Sequence, residues 1–172
     1  MSDALINRVA ASGLITLKPE EWLPADRPLT FDLKDYLFMG LILKEQEFRD
    51  SLKNHDWTQY AGKPLCVFCS ADAIVPSWAY MLITTLATPH AVEIYFGTPD
   101  AWLSQKLMEH IHQMDITPYQ DQRVVIKGCS DGIQIGPEIY VALTSKLVPV
   151  VKSLMFGEPC STVPVYKRPK DA

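Results

Sequence analysis

The sequence predicts an α/β protein: a small three-layer sandwich with a mostly parallel sheet, an irregular amino-terminal lead-in and a carboxy-terminal tail. Three observations predict it. Short apolar runs of strand length alternate with longer segments of helical periodicity. The runs are apolar throughout, as expected of parallel strands covered on both faces. The 172 residues, 48% hydrophobic and 21% charged, suit one sizeable core and are few for two. The chain therefore reads as one α/β domain over residues 1–172, with 1–33 as lead-in, 34–156 as core and 157–172 as tail.

A short helix near Ala4–Ala11 and a strand Leu14–Leu17 open the chain. A segment broken by Pro19, Pro24 and Pro28 follows, then a second strand, Leu29–Leu33. From Lys34 a helix is expected, with Leu37, Leu41, Phe48 and Leu52 on one stripe that Glu45 interrupts. Leu65–Cys69 reads as a buried strand. Ser77–Ala87 is apolar almost all round and stops before Pro89, which predicts a buried helix. Val92–Phe96 is a strand closed by Gly97. Thr98-Pro99-Asp100 opens a helix with a hydroxyl cap and a proline at the first helical position. That helix should bury Leu103, Leu107, Ile111 and Met114. Val124–Ile126 is a further strand. Pro137–Phe156 reads as the last helix, with Tyr140, Leu143, Leu147, Val151 and Leu154 inward, a kink at Pro149 and Gly157 as its end. No internal repeat of solenoid length is present. Right-handed crossovers would set the carboxyl ends of the strands on one sheet edge, where open sheets bind ligands.

The net charge of -4 provides no field for nucleic acid, and Lys167, Arg168 and Lys170 read as a solvated terminus. No run approaches the roughly 20 apolar residues that cross a bilayer. The opening MSDALINRVA has no basic stretch before an apolar core, so a cytoplasmic protein is expected. Its four cysteines then sit in a reducing compartment, as ligands or nucleophiles rather than bridges.

Three of the four are followed by serine: Cys69-Ser70, Cys129-Ser130 and Cys160-Ser161. Cys69 ends a strand, Cys129 follows a strand through Lys127-Gly128, and Cys160 follows the last helix. On the expected topology, Cys69 and Cys129 share a sheet edge that the Cys160 loop can reach. Backbone N–H groups and hydroxyls stabilise thiolates and tune metal–sulfur sites, which gives the Cys-Ser pairing a chemical reason. Three thiolates and one further donor make a zinc site, and an iron–sulfur cluster takes the same soft ligands. Cys69, Cys129 and Cys160 are thus the expected metal ligands, with Asp72, or a water or substrate in an open position, as the fourth donor, zinc the first choice and an iron–sulfur cluster the second.

Against this stands the ordinary behaviour of buried cysteines as small hydrophobes. Cys66 is assigned to that class, because residues three apart on a strand point to opposite faces and a redox Cys-x-x-Cys belongs at a helix start. His55-Asp56-Trp57 precedes the Cys69 strand and reads as a loop cap more than a ligand set. Asp72 has a competing role in bonding its own loop. His110 reads as a packing residue, Lys127 as a solvated strand end, and Trp78 and Tyr80 as pocket wall or core. No phosphate-binding glycine loop and no Ser–His–Asp spacing is present.

Four segments together carry a resemblance: Asn54-His55-Asp56-Trp57, Cys69-Ser70-Ala71-Asp72-Ala73-Ile74-Val75-Pro76, Lys127-Gly128-Cys129-Ser130, and Gly157-Glu158-Pro159-Cys160-Ser161-Thr162-Val163-Pro164. The chain resembles an uncharacterised bacterial family, domain of unknown function 2480, found mainly in Bacteroidetes. The resemblance brings no activity. It implies a small cytoplasmic protein, and genomic proximity to sulfur-mobilisation machinery implies iron–sulfur assembly proteins as partners. The function expected is therefore a metal-binding protein with a three-cysteine site, an accessory in iron–sulfur cluster assembly. Its rival is a thiol- or zinc-dependent enzyme acting on a small molecule there.

Overall fold

The computed structural model describes residues 13–128, 135–158 and 161–169. The predicted class holds: helices alternate with strands, and the strand pairs are parallel except one. The strands form two sheets, however, where the sequence suggested one. Apolar runs announce strands but do not say which strand pairs with which, so the division is invisible in them.

The chain falls into two compact units. A middle unit spans Pro24–Leu103, and a flanking unit is built from the chain on either side of it in sequence. The first strand, β1 (Leu14–Leu17), belongs to the flanking unit. The middle unit then runs β2 (Leu29–Asp32), α1 (Glu45–Lys53), β3 (Pro64–Phe68), α2 (Ser77–Ala87) and β4 (Glu93–Phe96). Its sheet has the order β2-β3-β4, all parallel. Helix α3 (Pro99–Gln113) contains the division between Leu103 and Ser104. The flanking unit continues with β5 (Arg123–Ile126), α4 (Pro137–Leu147), β6 (Ser153–Glu158) and β7 (Ser161–Lys167). Its sheet has the order β1-β5-β6-β7, with β7 antiparallel.

Three boundaries differ from expectation for local reasons. Residues 33–36 form a short 3-10 turn instead of opening a helix at Lys34, and Phe38 then bridges Ile42 across a tight reversal. Met39 and Gly40 there have φ of 51° and 71°, which no right-handed helix accommodates, so α1 waits until Glu45. The last helix stops at Leu147, not Phe156. The N–H groups of Val150 and Val151 bond back to the Leu147 carbonyl around Pro149, and the chain returns as β6. Val151 and Leu154 are buried as predicted, though not on a helix. The expected tail contains β7, whose Pro164 is tolerated on an edge strand. The expected lead-in contains two sheet strands, β1 and β2.

The two units repeat one plan, strand–helix–strand–helix–strand. In the middle unit Phe48 and Leu52 of α1, and Ala79, Ile83 and Ala87 of α2, pack against Leu65 and Val67 of β3. In the flanking unit Leu107 and Ile111 of α3, and Ile139, Leu143 and Leu147 of α4, pack against Val124 and Ile126 of β5. These are the same positions, shifted by 59 residues up to the central strand and 60 beyond it. Small features follow the same shift. Asp56 accepts the Thr58 N–H and hydroxyl, and Asp115 those of Thr117. Gly62 and Asp121 both have left-handed φ, 71° and 58°, and donate to the carbonyls of His90 and Val150. Tyr80 meets Phe96 edge-on at 5.1 Å, and Tyr140 meets Phe156 edge-on at 5.3 Å. A single duplicated unit accounts for all of this. The extra residue at the end of β5 makes the shift change from 59 to 60.

Candidate functional site

In a parallel sheet the residues just past the carboxyl ends of the strands face the ligand-binding edge. For the middle unit these are Asp32 ending β2, Cys69-Ser70 after β3, and Gly97 after β4. Asp32 is the hub. Its carboxylate accepts the Ser70 N–H at 3.0 Å, the Ser70 hydroxyl at 2.6 Å and the Lys34 N–H at 3.0 Å, and it lies 3.4 Å from the Lys34 ammonium. Burial raises the carboxyl's pKa, but these donors outweigh it and hold Asp32 below the usual carboxylate range. The acid is charged, and it fixes the backbone at Ser70, one residue from the thiol.

Cys69 is partly exposed, and its thiol donates to the Ala71 carbonyl at 3.6 Å. Tyr80 lies on the first turns of α2 and packs with Cys69 around the unit's core. Burial, then the neighbouring Cys69 and Asp32, push its hydroxyl up. Cys66 behaves as predicted: it is buried, and burial, helped by Glu93, pushes its thiol up to about 11. It is no ligand. Between the two described cysteines, Cys69 alone offers a thiol that solvent can reach.

Of the expected ligands, Asp72 is exposed in the loop after Cys69. Cys129 and Cys160 lie outside the described residues. Among the described residues no group of three or more His, Cys, Asp or Glu is gathered as a metal site. The expectation that Cys69 and Cys129 share one sheet edge assumed one sheet. The strands that lead to them, β3 and β5, belong to different sheets. What the two positions do share is their place in the duplicated unit, after the central strand. At the end of β5, Gly128 leaves room for the Phe156 ring where a Cβ would stand.

The remaining candidates resolve into structure. His55 lies between two tyrosines, with Nδ1 3.2 Å from the Tyr36 hydroxyl and Nε2 2.9 Å from the Tyr60 hydroxyl. Burial lowers its pKa, against the pull of Asp56, while burial pushes Tyr60 up to about 12. Asp56 caps its loop, as expected. His110 stacks on Trp22 at 4.6 Å, and Lys127 pairs with Glu158 at 3.4 Å. Arg168, expected to be solvated, pairs with Asp121 and donates to the Val150 carbonyl. The flanking unit also holds an apolar cavity of about 440 Å³ between α4 and the β6–β7 pair, lined by Tyr140, Thr144, Phe156, Val163 and Val165 among others. Asp32 went unnoticed in the sequence. An acid closing an apolar run was its only signal.

Fold and edge together define a duplicated α/β protein with a reachable thiol after the central strand of its middle unit. The chain belongs to the family described as protein of unknown function (DUF2480), whose model matches residues 3–168. No curated protein and no solved structure matches it. Among the described residues no helix is long and apolar enough to cross a membrane.

Proposed function

We propose that the protein binds a soft metal through Cys69, Cys129 and Cys160, with Asp72 as the further donor and zinc or an iron–sulfur cluster as the occupant. One observation carries the reading. A Cys-Ser pair follows the central strand in both copies of the duplicated unit, and in the described copy the thiol is reachable while an ionised Asp32 holds its serine. A packing cysteine needs no such brace. The donor chemistry suits the group, since thiolates with one carboxylate or open position are a zinc or iron–sulfur set. Bound there, the metal would supply Lewis acidity or hold sulfur, which fits an accessory in iron–sulfur cluster assembly at cytoplasmic pH.

Elemental analysis of the full chain purified without added metal tests this. The expected result is about one metal equivalent per chain, lost in Cys69→Ser and Cys129→Ser and kept in Cys66→Ser. Metal that survives both of the first two changes would overturn it. A second reading has its own support in the exposure of Cys69: a thiol enzyme acting on a small molecule. It predicts a metal-free protein in which Cys69 is alkylated much faster than Cys66.

A further inference from the structure

Comparison of the two units shows one edge treated in two ways. In the flanking unit β6, the third parallel strand, is covered by antiparallel β7, with Phe156 opposite Val163. In the middle unit the equivalent strand β4 ends its sheet, and no described strand pairs with its outer side. The consequence shows in the matched phenylalanines. Phe156 is 37% exposed and Phe96 is 70% exposed. Met81 on α2 is exposed as well, and so is Val92 just before β4, which strand alternation puts on the same face as Phe96. An apolar strand edge left bare is a template for another strand.

We propose that β4 is the interface of a symmetric dimer, in which the β4 strands of two copies of this chain pair antiparallel across a two-fold axis. The flanking unit supplies the argument for the kind of occupant, since the same edge there takes an antiparallel strand bearing apolar residues. The β4 sequence supplies the argument for a second copy. Paired with itself about an axis through Ile94, the strand sets Ile94 opposite Ile94, Glu93 opposite Tyr95 and Val92 opposite Phe96, each pair on one face of the sheet. No like charges face one another, and a β-branched residue meets an aromatic one, which are favourable cross-strand pairs. A two-fold axis uses one patch twice, so Phe96, Met81 and Val92 of each copy cover those of the other. Four residues of strand are a short template for a foreign peptide. Doubled by symmetry and flanked by apolar side chains, they make an interface.

Light scattering on the full chain after size separation, over a wide concentration range, tests it. The expected mass is twice the 19.4 kDa of one chain. Phe96→Glu should weaken the dimer about tenfold or more, since it puts charge into the apolar patch opposite Val92. Met81→Glu, on an exposed helix position, should do the same without touching the strand, and far-ultraviolet circular dichroism checks that both variants fold. Val163→Glu, on the exposed side of β7, should leave the mass unchanged. A wild type that stays monomeric throughout, a dimer that survives both Phe96→Glu and Met81→Glu, or one that Val163→Glu dissociates would each overturn the proposal.

Discussion

The middle unit holds its central-strand loop with an acid, and at the matching place the flanking unit has a lysine. At the end of β2 stands Asp32, gripping Ser70. At the matching place in the flanking unit, one residue past the end of β1, stands Lys18, which pairs with Glu21 at 2.6 Å, while buried Leu17 matches buried Phe31. The cores are the same in plan, yet the edges have diverged. Duplication preserves what packing requires, because each buried position must still fill the same space. Edges carry no such constraint, so differences there report on what each copy came to do. The shared Cys-Ser pair is informative as well: it recurs in the sequence after the central strand of both copies.

The cores give the largest test of equivalence. Ile83 and Leu143 are fully buried at matching places on α2 and α4, one in each core. Truncating either to alanine should cost about 2–5 kcal/mol, measured by denaturant unfolding. The two residues share no core cluster, so the double variant should lose the sum of the single losses to within about 0.5 kcal/mol. A strong departure from additivity would mean that the two cores are energetically one.

Asp32 comes next. Asp32→Ala leaves the Ser70 N–H and hydroxyl and the Lys34 N–H without their acceptor, and should cost about 1–3 kcal/mol. The same variant should speed alkylation of Cys69, because the loop loses its anchor at the neighbouring residue. Lys18→Ala, at the matching place in the flanking unit, should by contrast leave Cys69 reactivity unchanged. Equal thiol rates in wild type and Asp32→Ala would remove the brace from the account of the site.

Much of this could be read in the chain beforehand, and the failures have physical causes. β1 and α2 were legible to the residue, because continuous apolar runs ended by glycine or proline leave little choice. β6 was not. Val151 and Leu154 fit helical spacing as well as strand spacing, and a buried run of this length satisfies both. The duplication was hidden by its low identity. Tyr80 and Tyr140, Thr84 and Thr144, Pro89 and Pro149, and Phe96 with Gly97 and Phe156 with Gly157 all recur at one interval, but the core pairs between them changed type, as Ala79 and Ile139 did. Cys69 was legible as an edge thiol. Its support was not, because Asp32 is far from it in sequence and sequence position says nothing of which strands pair.

The histidine network marks another asymmetry, since the place of His55 is taken by Met114 in the flanking unit. Burial holds the His55 pKa below its unfolded value, so the unfolded chain takes up a proton first as pH falls. Stability should therefore be full above the ordinary histidine range and decline as pH drops through about 6.5 toward the lower folded value. His55→Met should flatten that decline in a series of melting curves. A slope that persists unchanged would assign the acid sensitivity elsewhere.

The finest test uses the ring pairs, a surface feature that both copies keep. Tyr80 with Phe96 and Tyr140 with Phe156 meet edge-on at nearly the same distance, with interplanar angles of 87° and 90°. Edge-to-face pairs contribute about 0.5–1.5 kcal/mol beyond the area they bury. A double-mutant cycle to leucine on each pair should return couplings in that range and close to each other, because the geometry is shared. Their surroundings differ, since β7 shields Phe156 and nothing described shields Phe96. If the Tyr140–Phe156 coupling alone is measurable, the pair depends on the covering strand and the two units are alike in shape but not in energy. If both are measurable, the ring pairing does not depend on the covering strand, and the two units are alike in energy as well as in shape.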